Sequence, residues 1–326
     1  MKPTKHPLSD LHANLPAEID LFICCASFEQ RCTKIANSLT SVTVRRAVVA
    51  EYRDGSMASA KHAEVILKKF PGAKRVDIFS SAPLRTLDNL VNALSPQDVE
   101  TPRHIAVDIS TFTREALLIL LRVLRRTLRP DDHIHCLYVG AKQYSIGDSE
   151  EKTWLTHGVR EVRSILGYPG RLLPSRQTHL IVLVGYEDER ANELISSIEP
   201  SVLSLGLGSI DPIRPELATT NRLFYQKIAS VFGQIVRRFE FSPSDHLVTR
   251  DAIGEQVQQH RSYNTIVAPM NTKISTIGCG LVGLDNPDLQ LCYAQPEIYN
   301  ERYAEPEDDY YSFELSELMI TMNDSV

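Results

Sequence analysis

The sequence lacks any apolar run of the roughly 18 to 20 residues that a membrane-spanning helix requires. Its opening segment, MKPTKHPLSDLHANLPAEID, also has no apolar stretch of the kind found in signal peptides. We therefore expect no membrane association and a cytoplasmic location.

An excess of positive charge is absent as well, since the 326 residues carry a formal net charge of −6. Nucleic acids and anionic membranes are usually bound through basic surfaces that displace counterions. The charge balance therefore argues against direct DNA or RNA binding. Hydrophobic residues make up 43% of the chain and charged residues 23%, proportions typical of globular proteins, and the length suits two domains.

Several catalytic and metal-binding motifs are missing. The six cysteines include no C-x-x-C pair, and the ten histidines are scattered without zinc-ligand spacing. A P-loop, a G-x-S-x-G elbow and an H-E-x-x-H helix are likewise absent. We expect neither a metal site nor a cofactor.

The sequence does contain an internal similarity. IDLFICCASFEQRCTKIANSL, from Ile19, resembles THLIVLVGYEDERANELISSIE, from Thr178, and places Glu29 and Glu187 158 positions apart. Four further apolar segments match in the same order at similar offsets, ending with Cys136 opposite Cys292. This pattern indicates that one half of the chain arose by duplication of the other.

Each half alternates short apolar runs with helix-length amphipathic segments, which is typical of buried parallel strands covered by helices on both faces. The predicted fold class is α/β, with two tandem Rossmann-like, doubly wound and mainly parallel sheets. The predicted boundaries are residues 18–147 for the first half, 148–177 for a linker with a helix near Trp154 to Leu166, 178–304 for the second half, and 305–326 for an acidic tail that forms a short helix or stays mobile.

In doubly wound sheets, ligands bind where the strands end and the next helices begin. The loops at these positions combine hydroxyls, basic residues and free backbone N–H groups, which suit a phosphate. An aromatic-Glu-x(x)-Arg pattern recurs after the first strand of both halves. The candidate ligand-binding residues are Ser27, Phe28, Arg31, Ser110, Thr111, Thr113, Arg114 and Tyr144 in the first half, and Tyr186, Glu187, Arg190, Asn271, Thr272 and Lys273 in the second.

Several of these residues also have a purely structural interpretation. Ser110 or Thr111 can cap the following helix, the Glu-Arg pairs can be ion pairs, and Tyr144 can pack at the edge of a core. If the protein is an enzyme, Glu29 and Asp108 are the candidate catalytic residues. Asp108 aligns with Pro269, so this carboxylate occurs in one half only.

With a duplicated Rossmann-like half and a Ser/Thr-basic loop after the fourth strand, the chain resembles the CRISPR-associated Rossmann-fold (CARF) sensor domains. Asn271-Thr272-Lys273 is similar to the end of their Gly-Gly-Thr-Lys motif, and Thr113-Arg114 is a looser match, although both halves lack the paired glycines. The resemblance implies that the two halves pair around a nucleotide or cyclic oligonucleotide, in a setting of prokaryotic antiviral defence, with an effector protein as a further partner.

Three functions remain open from the sequence. The first is a module that binds or senses a phosphate-rich nucleotide or oligonucleotide. The second is a hydrolase that cleaves the N-glycosidic or phosphodiester bond of a nucleotide in the same cleft. The third is a structural subunit of a larger assembly.

Overall fold

Two units make up the fold. The computed structural model describes residues 2–53, 56–95, 103–144, 155–208, 215–301 and 304–318. Unit 1 comprises Met1–Tyr144 with Glu301–Val326, and unit 2 comprises Ser145–Asn300. Within the described ranges, no helix is both long and apolar enough to cross a bilayer.

The elements of unit 1 alternate between strands and helices over most of its length. In chain order the strands are β1 (Thr4–Pro7), β2 (Glu18–Ile19), β3 (Leu21–Ala26), β4 (Thr43–Val44), β5 (Ala47–Tyr52), β6 (Lys74–Ile78), β7 (His104–Asp108), β8 (His133–Tyr138) and β9 (Ala141–Tyr144). The helices are α1 (Lys34–Ser38), α2 (Met57–Lys69), α3 (Pro83–Leu94) and α4 (Arg114–Thr127).

Unit 2 follows the same alternation, and the chain then returns to unit 1. The strands of unit 2 are β10 (Thr156–Pro169), β11 (Thr178–Leu183), β12 (Val202–Gly208), β13 (Val236–Phe241), β14 (Asn264–Pro269) and β15 (Gln290–Tyr299). Its helices are α5 (Asp188–Ile198), α6 (Pro215–Phe232), α7 (His246–Gln259) and α8 (Lys273–Asp285). The last strands, which belong to unit 1, are β16 (Ala304–Pro306) and β17 (Asp309–Glu314).

The main sheet of unit 1 has the order β1-β17-β8-β7-β3-β5-β6. The strands from β8 to β6 run parallel, while β17 and β1 are antiparallel to their neighbours. Numbered along the chain, the five parallel strands have the order 3-2-1-4-5, which matches the first five strands of the Rossmann order 3-2-1-4-5-6. Every residue of β3, LFICCA, is buried, because helices cover both faces of a parallel sheet.

The sheet of unit 2 has the order β10-β15-β14-β11-β12-β13. Its parallel strands, β11 to β15, repeat the order 3-2-1-4-5, and β10 adds an antiparallel edge beside β15. The α/β class with Rossmann-like, mainly parallel sheets is therefore observed. A shared strand order follows from a common fold type as well as from duplication, so the duplication stays a prediction.

The predicted linker helix is wrong. Residues 156–169 form β10, a strand that pairs with β15. The pairing has two register irregularities, one between Val159 and Glu161 and one between Ser164 and Pro169. Gly158 and Gly167 have φ values of 67° and 92°, a left-handed backbone that interrupts a helix as well as a regular strand. Residues 148–154, including Trp154, lie outside the described ranges.

The acidic tail also differs from its prediction. Its residues Asp309–Glu314 form β17, which lies between β1 and β8 and buries Tyr310, Tyr311 and Phe313. A single 3-10 turn follows at Ser316–Leu318. The aromatic residues explain the outcome, since they complete the core beside β8 despite the acidic residues around them.

Candidate functional site

The strand order of unit 1 places the ends of β3 and β7 side by side. The chain continues from β3 to β5 on one side and from β7 to β8 on the other. Such a reversal leaves a crevice beyond the carboxyl ends of the strands, where doubly wound folds bind ligands. We call this region, formed by the ends of β3 and β7 and the loops that follow them, the carboxyl edge of unit 1.

Asp108 ends β7 at this edge, with only 2% of its surface exposed. Its Oδ1 accepts hydrogen bonds from the backbone N of Ser110 at 3.0 Å and from the Ser110 hydroxyl at 2.5 Å. The same hydroxyl accepts from the backbone N of Val139 at 2.9 Å. Burial raises the pKa of Asp108 to about 6, against the opposing effects of Ser110 and of nearby Arg31. The carboxyl group therefore titrates close to neutral pH.

The loop after β7 is fixed by its hydroxyls. The Thr111 hydroxyl donates to the carbonyl of Cys25, near the end of β3. Thr113 caps α4, because its Oγ1 accepts from the backbone N of Ala116 at 3.2 Å. The hydroxyl of Tyr52 donates to Thr113 Oγ1 at 2.9 Å and accepts from the Thr113 backbone N at 2.8 Å. Arg114, the first residue of α4, is partly exposed beside this cap.

Glu29 and Arg31 follow β3 and are both buried. Nε of Arg31 lies 2.6 Å from Oε2 of Glu29, and its Nη1 donates to the carbonyl of Val139 at 3.1 Å. The guanidinium also lies over the ring of Tyr138, 5.9 Å from its centroid. Because Tyr138 ends β8 and Val139 follows it, this ion pair attaches the loop after the first parallel strand to the end of the fifth.

Unit 2 contains the same arrangement. Arg190 Nη1 lies 3.1 Å from Oε2 of Glu187, and its Nε donates to the carbonyl of Ala294 in β15 at 2.7 Å. The guanidinium lies 5.0 Å from the ring centroid of Tyr293, and Glu187 also accepts a hydrogen bond from Thr156. The interaction with Glu187 raises the pKa of Arg190 despite its burial. The recurring aromatic-Glu-x(x)-Arg pattern thus has a structural function in both units.

The carboxyl edge of unit 2 is defined in the same way by the ends of β11 and β14 and their loops. Asn271 Nδ2 donates to the carbonyl of Val184 at 2.6 Å, which joins the two loops as Thr111 does in unit 1. Thr272 caps α8, since its Oγ1 accepts from the backbone N of Ser275 at 3.1 Å. Lys273, the first residue of α8, is partly exposed.

The predicted residues therefore gather at two carboxyl edges, one in each unit, with Phe28 and Tyr186 partly buried on the first-strand loops. The side chain of Tyr144 lies outside the described residues. Across the described part of the chain, no group of three or more His, Cys, Asp and Glu residues is placed to hold a metal ion.

Two further side chains at these edges are not predicted by the sequence. Tyr52 supports the cap of α4, and Asn221 of α6 donates to the carbonyl of Val184 at 2.7 Å while accepting from the backbone N of Gly208 at 3.0 Å. Asn221 is 3% exposed. In the sequence, Asn221 is one polar residue within a helical segment. This is a weak signal of a site, because the groups that Asn221 contacts lie in distant parts of the sequence.

No protein-family model matches the sequence, and no curated protein matches it. Among solved structures, LepI in complex with SAM matches with a TM-score of 0.24 and 13% identity, covering 42% of this chain and 32% of LepI. Phosphoethanolamine N-methyltransferase 1 of Haemonchus contortus, solved with phosphoethanolamine and S-adenosylhomocysteine, matches with a TM-score of 0.26 and 9% identity, covering 80% of this chain and 72% of that chain. The match thus spans about a third of the length of LepI.

Proposed function

We propose that the protein is a binding or sensing module that takes a phosphate-bearing ligand of the nucleotide or oligonucleotide class at its carboxyl edges. The observation that carries the proposal is a shared arrangement after the fourth parallel strand. In each unit a threonine caps the next helix and a partly exposed basic residue, Arg114 or Lys273, occupies its first position.

A cation at the start of a helix is unfavourable by itself, because the helix dipole is positive there. An anion at the same place reverses the balance, since it interacts with the dipole, the first-turn N–H groups and the basic side chain together. The two helices, of 14 and 13 residues, are long enough for this effect. Phosphate is the anion that best fits such a site in a Rossmann-like fold.

The other predicted basic residues have a different part in this proposal. Arg31 and Arg190 are buried in ion pairs, and each donates to a main-chain carbonyl in or just after the fifth parallel strand of its unit. They hold the first-strand loops in place, and Arg114 and Lys273 bind phosphate. Phe28 and Tyr186, on those same loops, provide aromatic surface on which a base can stack.

The test is isothermal titration calorimetry of the full chain with mononucleotides, dinucleotides and cyclic oligonucleotides. The cyclic ligands are included because of the resemblance to CARF sensor domains. Arg114→Gln and Lys273→Gln should each weaken binding by roughly tenfold or more at their own unit's site. Arg126→Gln, on the exposed far end of α4, and Arg261→Gln, exposed after α7, remove the same charge and should leave affinity within about twofold.

If the controls weaken binding as much as the site variants, charge alone and not a site explains the affinity. If no member of the panel binds, the proposal is wrong, and the structural-subunit hypothesis gains instead.

A second candidate function rests on Asp108. A buried carboxyl group whose pKa is about 6 exchanges protons at neutral pH and suits a general base that activates water. Its position at the carboxyl edge of unit 1, with Pro269 at the corresponding strand end in unit 2, favours a hydrolase with one reactive site. Glu29 is a poorer candidate, because Arg31 already occupies its carboxylate.

Chromatographic detection of products from the same nucleotide panel tests this alternative. Turnover that is lost in Asp108→Asn, but retained in Asp88→Asn on the exposed side of α3, would establish the hydrolase. Ligand recovered intact after prolonged incubation would exclude it.

A further inference from the structure

The outer side of β10 is an open sheet edge. β10 is the terminal strand of the sheet in unit 2 and pairs with β15 on its inner side. In the part of the chain that the structure describes, no other strand pairs with it. An edge strand is bound to the sheet on one side only and can accept a further strand on the other.

Unit 1 is completed differently at the equivalent position. There the antiparallel strand next to the fifth parallel strand is β17, and β1 pairs with its outer side from Thr4 to Pro7. Among the described strands, β10 is the last at this side of the unit 2 sheet. An additional antiparallel strand beside β10 would make the two sheets alike in this respect.

The charges on β10 indicate which segment would form the additional strand. Between its two register irregularities, β10 has a regular stretch from Glu161 to Ser164. Glu161 and Arg163 lie two positions apart, so they share one face of the strand. The two side chains form an ion pair with each other, and Arg163 Nη1 also donates to Oε1 of Gln295 in β15 at 2.9 Å. The Arg163 side chain is 14% exposed and that of Glu161 is 49% exposed, so in a dimer the cross-strand pairs would add to a pair that already exists within each strand.

A second copy of β10 complements this pattern in one register. If two copies pair antiparallel about Val162, Glu161 of each copy lies opposite Arg163 of the other, which gives two cross-strand pairs of opposite charge. Centring the pair on Glu161 instead sets two glutamates face to face, and centring it on Arg163 sets two arginines face to face. The alternation of Glu161 and Arg163 therefore favours a second copy of β10 as the partner and the register centred on Val162.

We propose that the protein forms a homodimer in which β10 pairs with β10 of a second copy, antiparallel and centred on Val162, so that the two unit 2 sheets become continuous. Only a few residues on each side take part, which is less than a standard stable interface. The dimer is accordingly weak and concentration-dependent, with dissociation in the micromolar range (about 10 to 100 µM).

Sedimentation velocity of the full chain over a range of concentrations tests the proposal. Glu161→Arg alone sets arginines opposite arginines, and Arg163→Glu alone sets glutamates opposite glutamates. Each variant by itself should dimerise roughly tenfold or more weakly than the native chain. An equimolar mixture of the two variants restores both opposite-charge pairs, and a heterodimer should form with near-native affinity.

Arg160→Glu is the matched control, because this exposed residue lies at the register irregularity just before Glu161, outside the regular stretch, and has no charged residue opposite it in the proposed register. Its reversal should change dimerisation by less than about threefold. Thermal unfolding checks that each variant is folded. If Arg163→Glu is unfolded, the native chain, Glu161→Arg and the control decide the question. A native chain that is monomeric throughout, or a dimer that Glu161→Arg does not weaken, overturns the proposal. When both variants fold, a mixture that fails to associate does the same.

Discussion

Glu29 and Arg31 form an ion pair in which Nε lies 2.6 Å from Oε2, with side chains 7% and 4% exposed. The pair bridges the loop after β3 and the end of β8, because Arg31 also donates to the carbonyl of Val139. Glu187 and Arg190 repeat the pair in unit 2. The two copies of the motif therefore share a stabilising function, whatever ligand is bound nearby.

Removal of one partner from this pair should be costly. Arg31→Met leaves Glu29 as an unpaired buried charge and is expected to lower the free energy of unfolding of unit 1 by about 3 to 5 kcal/mol. The double variant with Glu29→Gln removes both charges and should lose less. Urea unfolding of the native, single and double variants measures this. A double variant that is less stable than Arg31→Met would contradict the interpretation.

Asp108 should make stability depend on pH in a defined direction. Burial raises its folded-state pKa to about 6 from an ordinary value of 3.8, so the folded protein binds the proton more tightly than the unfolded chain. The stabilisation from this group is complete below about pH 4 and is lost as the pH rises through 6. Relative to the native protein, Asp108→Asn should therefore gain about 2 to 3 kcal/mol in free energy of unfolding between pH 4 and 7.

The measurement is urea unfolding at several pH values, and the quantity of interest is the difference between variant and native protein. Other groups also make stability depend on pH, and the difference removes their effect. Burial lowers the pKa of His179 from 6.5 to about 3, so both the native protein and the variant lose stability as the pH falls below about 6.5. A difference that does not vary with pH would show that Asp108 has an ordinary pKa.

Replacing either of two glycines of unit 2 by alanine should have opposite effects on the stability of the protein. A Cβ on Gly185 would overlap the carbonyl oxygen of Met270, because the loops after β11 and β14 approach closely there. Gly185→Ala should destabilise the protein by more than about 2 kcal/mol. Gly254, inside α7, has no atom within 4 Å of the place that a methyl group would take, so Gly254→Ala should stabilise the protein by about 0.5 to 1 kcal/mol. Thermal and urea unfolding check both signs, and equal effects would contradict the close approach.

The final strand should be essential for unit 1. Phe313 is 3% exposed in β17, and Phe313→Ala is expected to cost about 3 to 5 kcal/mol through lost burial and a residual cavity. Its neighbour Ser312 is partly exposed, and Ser312→Ala should change stability by less than about 1 kcal/mol. Equal unfolding midpoints for the two variants would mean that β17 contributes little to the folded unit.

The parallel strands can be predicted because their signal is local. Runs such as LFICCA, between amphipathic segments, indicate buried strands without knowledge of their neighbours. The helix prediction for β10 is wrong for a physical reason. Val159, Val162, Ile165 and Tyr168 recur every three residues, a spacing that a helix also produces, whereas here they belong to a strand with irregular register. β17 escapes prediction because its partners, β1 and β8, lie far away in the sequence.

In the candidate site, too, local features can be predicted from the sequence and contacts between distant residues cannot. Capping of α4 by Ser110 or Thr111 is wrong, because Thr113 is the cap, and the hydroxyls of Ser110 and Thr111 bond instead to Asp108 and to the carbonyl of Cys25. The start of the helix is evident from its apolar pattern, but three hydroxyl residues precede it and only the fold decides which one caps it. The contacts of Tyr52 and Asn221 join residues that are 61 and 37 positions apart, and no local pattern indicates them. Whether the predicted residues bind a ligand stays a prediction.

Hydrogen exchange measured by mass spectrometry, with and without the nucleotide that binds most tightly, tests the central claim most directly. We predict slower exchange at the first-turn amides of α4 and α8, at Arg114 and Glu115 and at Lys273 and Ile274, with no change at the start of α2. Protection confined to other parts of the chain would contradict ligand binding at the carboxyl edges.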